Sequence, residues 1–250
     1  MKTRLLVPGV VLTLLPLLVV LGVVVNRQLE MGKNVGEGLT DLAFHDLENI
    51  ANSVTALCET QDEVLQKSVD GGLNVTKKTI SSLGSLGFGE EKVSWQAVNQ
   101  YTNKPTTVQL PKMLVGDQWL GQNAQSGTAS LVVDEVKQQV GGTATIFQRM
   151  NTAGDMLRVS TNVLKSDGQR AIGTYIPAVN PDGTANPVVS KVLSGETFRG
   201  RAFVVDRWYL TAYEPIKDAS GSVVGINYFG VPMESATALR QAIMDIPVGK

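Results

Sequence analysis

Residues 5–25, LLVPGVVLTLLPLLVVLGVVV, hold 21 consecutive positions without one ionisable side chain. At ~1.5 Å rise per residue a helix of that length spans about 31 Å, close to the hydrocarbon thickness of a bilayer. No later stretch is long and apolar enough to do the same. Lys2 and Arg4 precede the run. Positive charge beside a first hydrophobic segment stays cytoplasmic, which places residues 1–4 inside and everything after Asn26 outside. A cleaved secretory signal has a shorter apolar core and a small-x-small cleavage site. Val23-Val24-Val25-Asn26-Arg27 offers no such site, so the pattern predicts an uncleaved anchor.

Residues 26–83 contain no proline and predict a long membrane-proximal helix. Ala43, Leu47, Ile50, Val54, Leu57, polar Gln61 and Val64 recur at alternating spacings of 4 and 3, a heptad-like stripe that buries one narrow face. Packing on the protein's own sheet and pairing as a homodimer both satisfy it. Asp70-Gly71-Gly72 is expected to interrupt the helix, and Gly84, Gly87 and Gly89 to end it.

From Lys92 the pattern changes to short β-rich runs between turn residues. Strands are predicted over residues 92–102, 106–115, 143–150, 155–163, 170–176, 197–205, 208–216 and 223–231. Short helices are predicted over 130–140 and 188–193, and a C-terminal helix over 234–245. Gly141-Gly142 and Gly195 stop the short helices. Hairpin links fall at residues 151–154, 165–168 and 218–221. The order gives an α+β fold, an antiparallel sheet with helices on its faces, and residues 26–250 read as one folded unit.

Strand alternation places the candidate chemistry. Arg158, Ser160 and Asn162 share one face of their strand, opposite Leu157, Val159 and Val163. Tyr209, Thr211 and Tyr213 oppose Trp208, Leu210 and Ala212; Arg199, Arg201 and Phe203 share a face, and Asn227 and Tyr228 lie in the last strand. Covered by a helical cap, such a stripe becomes an apolar cup with a few polar donors, the composition of a small-molecule site. Arginine there favours a carboxylate, because its planar fork pairs with one through two hydrogen bonds.

Composition narrows the alternatives. Twenty-two Lys and Arg against 23 Asp and Glu, net −1, exclude a nucleic-acid binder, whose footprint is a clustered basic excess. Without Lys2 and Arg4 the remainder carries 20 positive and 23 negative charges, so it is not built to lie on anionic lipid. Cys58 stands alone, and His45 is the single histidine, too few for a catalytic zinc site. No Gly-x-Ser-x-Gly, Ser-x-x-Lys, His-Glu-x-x-His, Walker or dinucleotide motif occurs. The residues therefore point to a binding protein without catalytic residues or a cofactor. Asn74-Val75-Thr76 matches a glycosylation sequon, a pattern short enough to arise by chance.

Residues 144–151, ATIFQRMN, with DMLRVSTNV at 155–163 and AIGTY at 171–175, closely resemble the Cache 3/Cache 2 fusion sensor domain of bacterial chemoreceptors and related receptors. GETFRGRAFVV at 195–205, WYLTAYEPI at 208–216 and WLGQN at 119–123 extend the resemblance, which covers roughly residues 40–250. It implies a PAS-like (Cache) sheet over residues 84–233 on a long membrane-proximal helix, facing the periplasm of an inner-membrane receptor. There a small ligand would shift the helix and signal across the membrane, as in a methyl-accepting chemotaxis protein. The second membrane helix, HAMP linker and methylated coiled coil of such a receptor are missing, so the chain is expected to be the front end of a longer receptor, its truncated end lying in 234–250. An anchored binding or scaffolding module without signalling, and a periplasmic hydrolase, are the alternatives. The ligand, a small organic carboxylate, is expected on the sheet face among Arg149, Arg158, Ser160, Tyr175, Arg201, Tyr209, Thr211, Tyr213 and Asn227.

Overall fold

The computed structural model describes residues 6–205 and 207–233 and, within the first helix, the side chains of 18–33, 40 and 42–83. Helix α1 runs from Leu6 to Leu83, and the chain divides into two compact units after Cys58. In the first unit the stripe residues Leu47 and Leu57 stay 48% and 43% exposed. The expected cytoplasmic residues 1–4, the side chains of the apolar run through residue 17, and the predicted C-terminal helix lie outside the described residues. Among the described residues no helix is long and apolar enough to cross a membrane.

The second unit starts at Glu59 and is built on one sheet. Its strands are β1 (Leu86–Asn99), β2 (Pro105–Val115), β3 (Gln118–Trp119), β4 (Thr143–Arg149), β5 (Met156–Thr161), β6 (Thr174–Ile176), β7 (Phe198–Val204), β8 (Arg207–Lys217) and β9 (Val223–Pro232). Helices α2 (Val133–Val140) and α3 (Pro187–Leu193) interrupt them. The spatial order is β3-β2-β1-β6-β5-β4-β9-β8-β7. Neighbours run antiparallel except β1 and β6, which are parallel and meet at Val98 with Thr174 and Asn99 with Tyr175. β6 is shorter than the predicted 170–176 because Arg170 turns its side chain into a loop and Gly173 takes φ 75°.

Each face of the sheet has its own core. On one face Val69, Leu73 and Ile80 of α1 and Val133 and Val136 of α2 pack with Ala144, Ile146, Leu157, Leu210, Ala212 and Phe229. On the other, Val188, Val189 and Val192 of α3 pack with Phe147, Met156, Tyr209, Tyr213, Ile226 and Tyr228. Asn186 begins α3 by accepting from the N–H groups of Val188 and Val189, and Pro187 takes the first helical position, where a missing N–H costs nothing. Among the described residues, ion pairs flank α1 between Asp62 and Arg201 at 3.3 Å, Asp70 and Arg199 at 2.8 Å, and Lys77 and Glu214 at 3.1 Å. Partly exposed pairs contribute about 0–1 kcal/mol each, whereas each buried Val, Leu or Ile contributes about 1.5–3. The apolar stripe of residues 69, 73 and 80 therefore seats the helix.

Two expectations for α1 are corrected. The buried residues 69, 73 and 80 do not continue the heptad pattern of residues 43–64, and Val64 is 54% exposed. Asp70-Gly71-Gly72 does not break the helix. A Cβ at Gly72 would sit 2.2 Å from the Phe229 ring, so this glycine is there for close helix-to-sheet approach. Gly71 faces open space. The two substitutions should consequently have opposite signs. Gly71→Ala should stabilise the full chain by about 0.5–1 kcal/mol through helix propensity. Gly72→Ala should destabilise it by about 1–3 kcal/mol through overpacking. Urea unfolding of both variants decides this, and equal shifts would contradict the packing account. The sequon, too, is not presented on a loop: Thr76 is buried mid-helix with its hydroxyl donating to the Gly72 carbonyl at 2.8 Å.

Candidate functional site

A β-bulge decides which polar residues meet. Ile146 of β4 pairs with Ser160 and Phe147 pairs with Arg158, leaving Val159 as an extra residue in β5, which moves the flanking side chains out of simple alternation. Arg158 thus falls on the α3 face, while Ser160 falls on the α1 face, where its Oγ lies 3.2 Å from Ser130 Oγ. Asn162 goes with Ser160, donating to the Val133 carbonyl at 2.9 Å and accepting from the Ala144 N–H. The expected Arg158, Ser160 and Asn162 stripe is therefore split.

Arg158 is 1% exposed. Its Nη1 donates to Thr174 Oγ1, whose hydroxyl in turn donates to the Ala171 carbonyl at 2.8 Å. The guanidinium lies over the Phe147 ring at 5.0 Å, a cation–π contact that stabilises the charge in place of water. Tyr213 and Tyr228 meet at a tilt with ring centroids 4.8 Å apart, each also against Phe147 at 6.3 and 6.4 Å. Phe198 closes the far side of Tyr213 at 6.0 Å. Among the described residues no carboxylate pairs with Arg158, and its buried Nε has no hydrogen-bond partner.

The electrostatics follow from that burial. Desolvation pushes the Arg158 guanidinium below its ordinary value, partly offset by the phenols of Tyr213, Tyr228 and Tyr209. Burial pushes the Tyr213 and Tyr228 phenols up, so they stay protonated donors at neutral pH. An arginine does not lose its proton in proteins. The site is a fixed positive charge in a neutral aromatic box.

Arg170 provides the contrast. It is also buried, at 3% exposed, but holds Asp134 through two bonds of 2.9 and 2.8 Å. Its other donors reach the carbonyls of Gln125, Ser126, Thr128 and Thr161. Every N–H is used, so Arg170 has nothing left for a ligand. Arg158 does.

Of the residues the sequence singled out, Arg158, Tyr209, Thr211 and Tyr213 lie on this face. Thr211 is already engaged, its hydroxyl donating to the Gly200 carbonyl at 2.7 Å. Tyr175 and Asn227 lie on the α1 face; the Tyr175 hydroxyl accepts from Asn99 at 3.3 Å, and both amide atoms of Asn227 are buried without partners. Arg201 is exposed on Asp62. Arg149 donates to the carbonyls of Asn151, Thr152 and Val223, closing a hairpin end. Phe147 and Thr174 carry no signal in the sequence pattern, and Tyr228, noted in the last strand, stands outside the expected ligand set. Tyr228 has the opposite parity to Asn227 in β9, so choosing Asn227 excluded it; Thr174 is invisible without the β5–β6 pairing.

Among the described residues no group of three His, Cys, Asp or Glu is placed to hold a metal ion. The family model described as the Cache 3/Cache 2 fusion domain matches residues 33–250. No curated protein matches the chain. One solved structure with some likeness is described as the structure of an RNA-binding light-oxygen-voltage receptor. It shares 9% identity over 82% of this chain and 67% of that one, with a TM-score of 0.30, too low to carry an argument.

Proposed function

Because the chain belongs to the Cache 3/Cache 2 fusion domain family, whose members are sensor modules of signalling receptors that bind small molecules, we propose that it senses a small organic anion at Arg158. The observation that carries this reading is the buried guanidinium with an unpartnered Nε. A buried donor or charge left unpaired costs folding free energy, and a ligand carboxylate docking on the guanidinium would recover it. Tyr209, Tyr213 and Tyr228 on one side and Thr174 on the other would orient the bound group.

Ligand capture would stabilise the sheet against α3, and output would follow only if the ligand favours one arrangement of α1 over another. We assign residues 5–25 to a membrane anchor and the sheet to the extracytoplasmic side, which retention of the chain in alkaline-washed membranes would test. The exposed α1 stripe of Leu47 and Leu57 is proposed to pair with a second copy. Oxidative cross-linking through exposed Cys58 should then yield a covalent dimer, and monomeric sedimentation in detergent would overturn it.

The sensor reading is tested by thermal unfolding of the full chain with carboxylates, amino acids and amines. A ligand at a hundred times its Kd should stabilise the fold by about 2.7 kcal/mol. No shift across the whole library would defeat the reading.

A further inference from the structure

We infer that the Arg158 site selects a small monocarboxylate without an amino group. This rests on the sensor reading above and concerns only which anion the site takes.

The first observation is the shape of the free donor set. Nη1 is engaged by Thr174, whereas Nε is not engaged. The edge of a guanidinium that contains Nε presents two parallel N–H groups, and that spacing fits the two oxygens of one carboxylate.

The second is the charge balance. Phe147 and Thr174 contact Arg158 and the phenols of Tyr213, Tyr228 and Tyr209 act on its charge, all of them neutral while the phenols are protonated. One carboxylate cancels the one buried charge. A second carboxylate, or the ammonium of an amino acid, would enter the box with no opposite charge among the described residues to meet it, and a buried ion without a partner is strongly disfavoured.

The third is space. Tyr228 and Phe147 are 1% and 0% exposed, Tyr213 is 3%, and the two tyrosine rings are in contact at 4.8 Å. The walls that would receive the rest of the ligand are aromatic faces and phenol hydroxyls, which suit a short apolar tail.

The test is thermal unfolding of the full chain, titrated at constant ionic strength with acetate, propionate and butyrate. Alanine, malonate and propylamine supply the added ammonium, the second carboxylate and the cation alone. At least one monocarboxylate should raise the melting temperature at a concentration about tenfold or more below that needed for alanine or malonate, and propylamine should do nothing. The shift should vanish in Arg158→Met. Alanine or malonate acting at equal or lower concentration would overturn the monocarboxylate assignment while leaving the sensor reading intact. Silence of all three monocarboxylates would overturn it too, with the wider library then deciding the sensor reading separately. A monocarboxylate shift that survives Arg158→Met would move the site elsewhere and defeat both.

Discussion

Arg170→Ala is expected to lower the stability of the full chain by about 3–5 kcal/mol, the range for removing one partner of a buried ion pair. Asp134 would lose both of its guanidinium bonds, and the loop carbonyls of Gln125, Ser126 and Thr128 would lose the donors that hold them. The carbonyl of Thr161, at the end of β5, would lose one as well. Arg170→Lys should recover only part of the loss, because an ammonium cannot reproduce the planar fork. Urea unfolding measures both. A change below about 1 kcal/mol for Arg170→Ala, the range of an exposed pair, would mean that the clamp is solvated in solution and the account is wrong.

Arg158→Met is expected to act in the opposite direction. It replaces a buried cation lacking an acidic partner with an apolar side chain of similar length. Unfolding free energy without ligand should rise by about 1–3 kcal/mol, since exchanging buried charge for packed apolar volume is often stabilising. The same variant should lose every ligand-induced shift. Stability gained together with response lost is the pattern of a residue retained for binding at the expense of the fold. If Arg158→Met instead destabilises by several kcal/mol, Arg158 is a structural residue like Arg170, and the site assignment fails.

These two arginines also show what the sequence could and could not reveal. Alternation around Tyr209, Thr211 and Tyr213 put them on one face, and the sheet keeps them there because β8 pairs regularly with β7 along its length. The hairpins and α3 were legible for the same reason: turn residues and apolar spacing are local signals. Arg158 was grouped with Ser160 and Asn162 by simple alternation, and the structure separates them, because the bulge at Val159 inverts the parity of Ser160 and Asn162 relative to it. Nothing in a strand's own composition announces one extra residue. Gly72 misled in a similar way. A glycine that breaks a helix and one that admits the Phe229 ring look alike until the sheet is in place. Arg170 read as the start of a strand, whereas its role depends on Asp134, 36 positions away.

The parallel meeting of β1 and β6 bears on how the protein becomes competent. Val98 and Thr174 pair although the chain between them contains four strands and a helix, and the entropic cost of closing a loop grows with its length. The pairing of β4 with β9, which brings Phe147 and Tyr228 to the same face, spans a comparable stretch of chain. Hairpins that pair locally form early, and such distant pairings are late. Thr174 belongs both to the β1–β6 pairing and to the Arg158 hydrogen bond. The surroundings of Arg158 are therefore complete only when the chain has closed two long loops, so a ligand response at the proposed site would report on the completed fold, and a half-folded chain would stay silent.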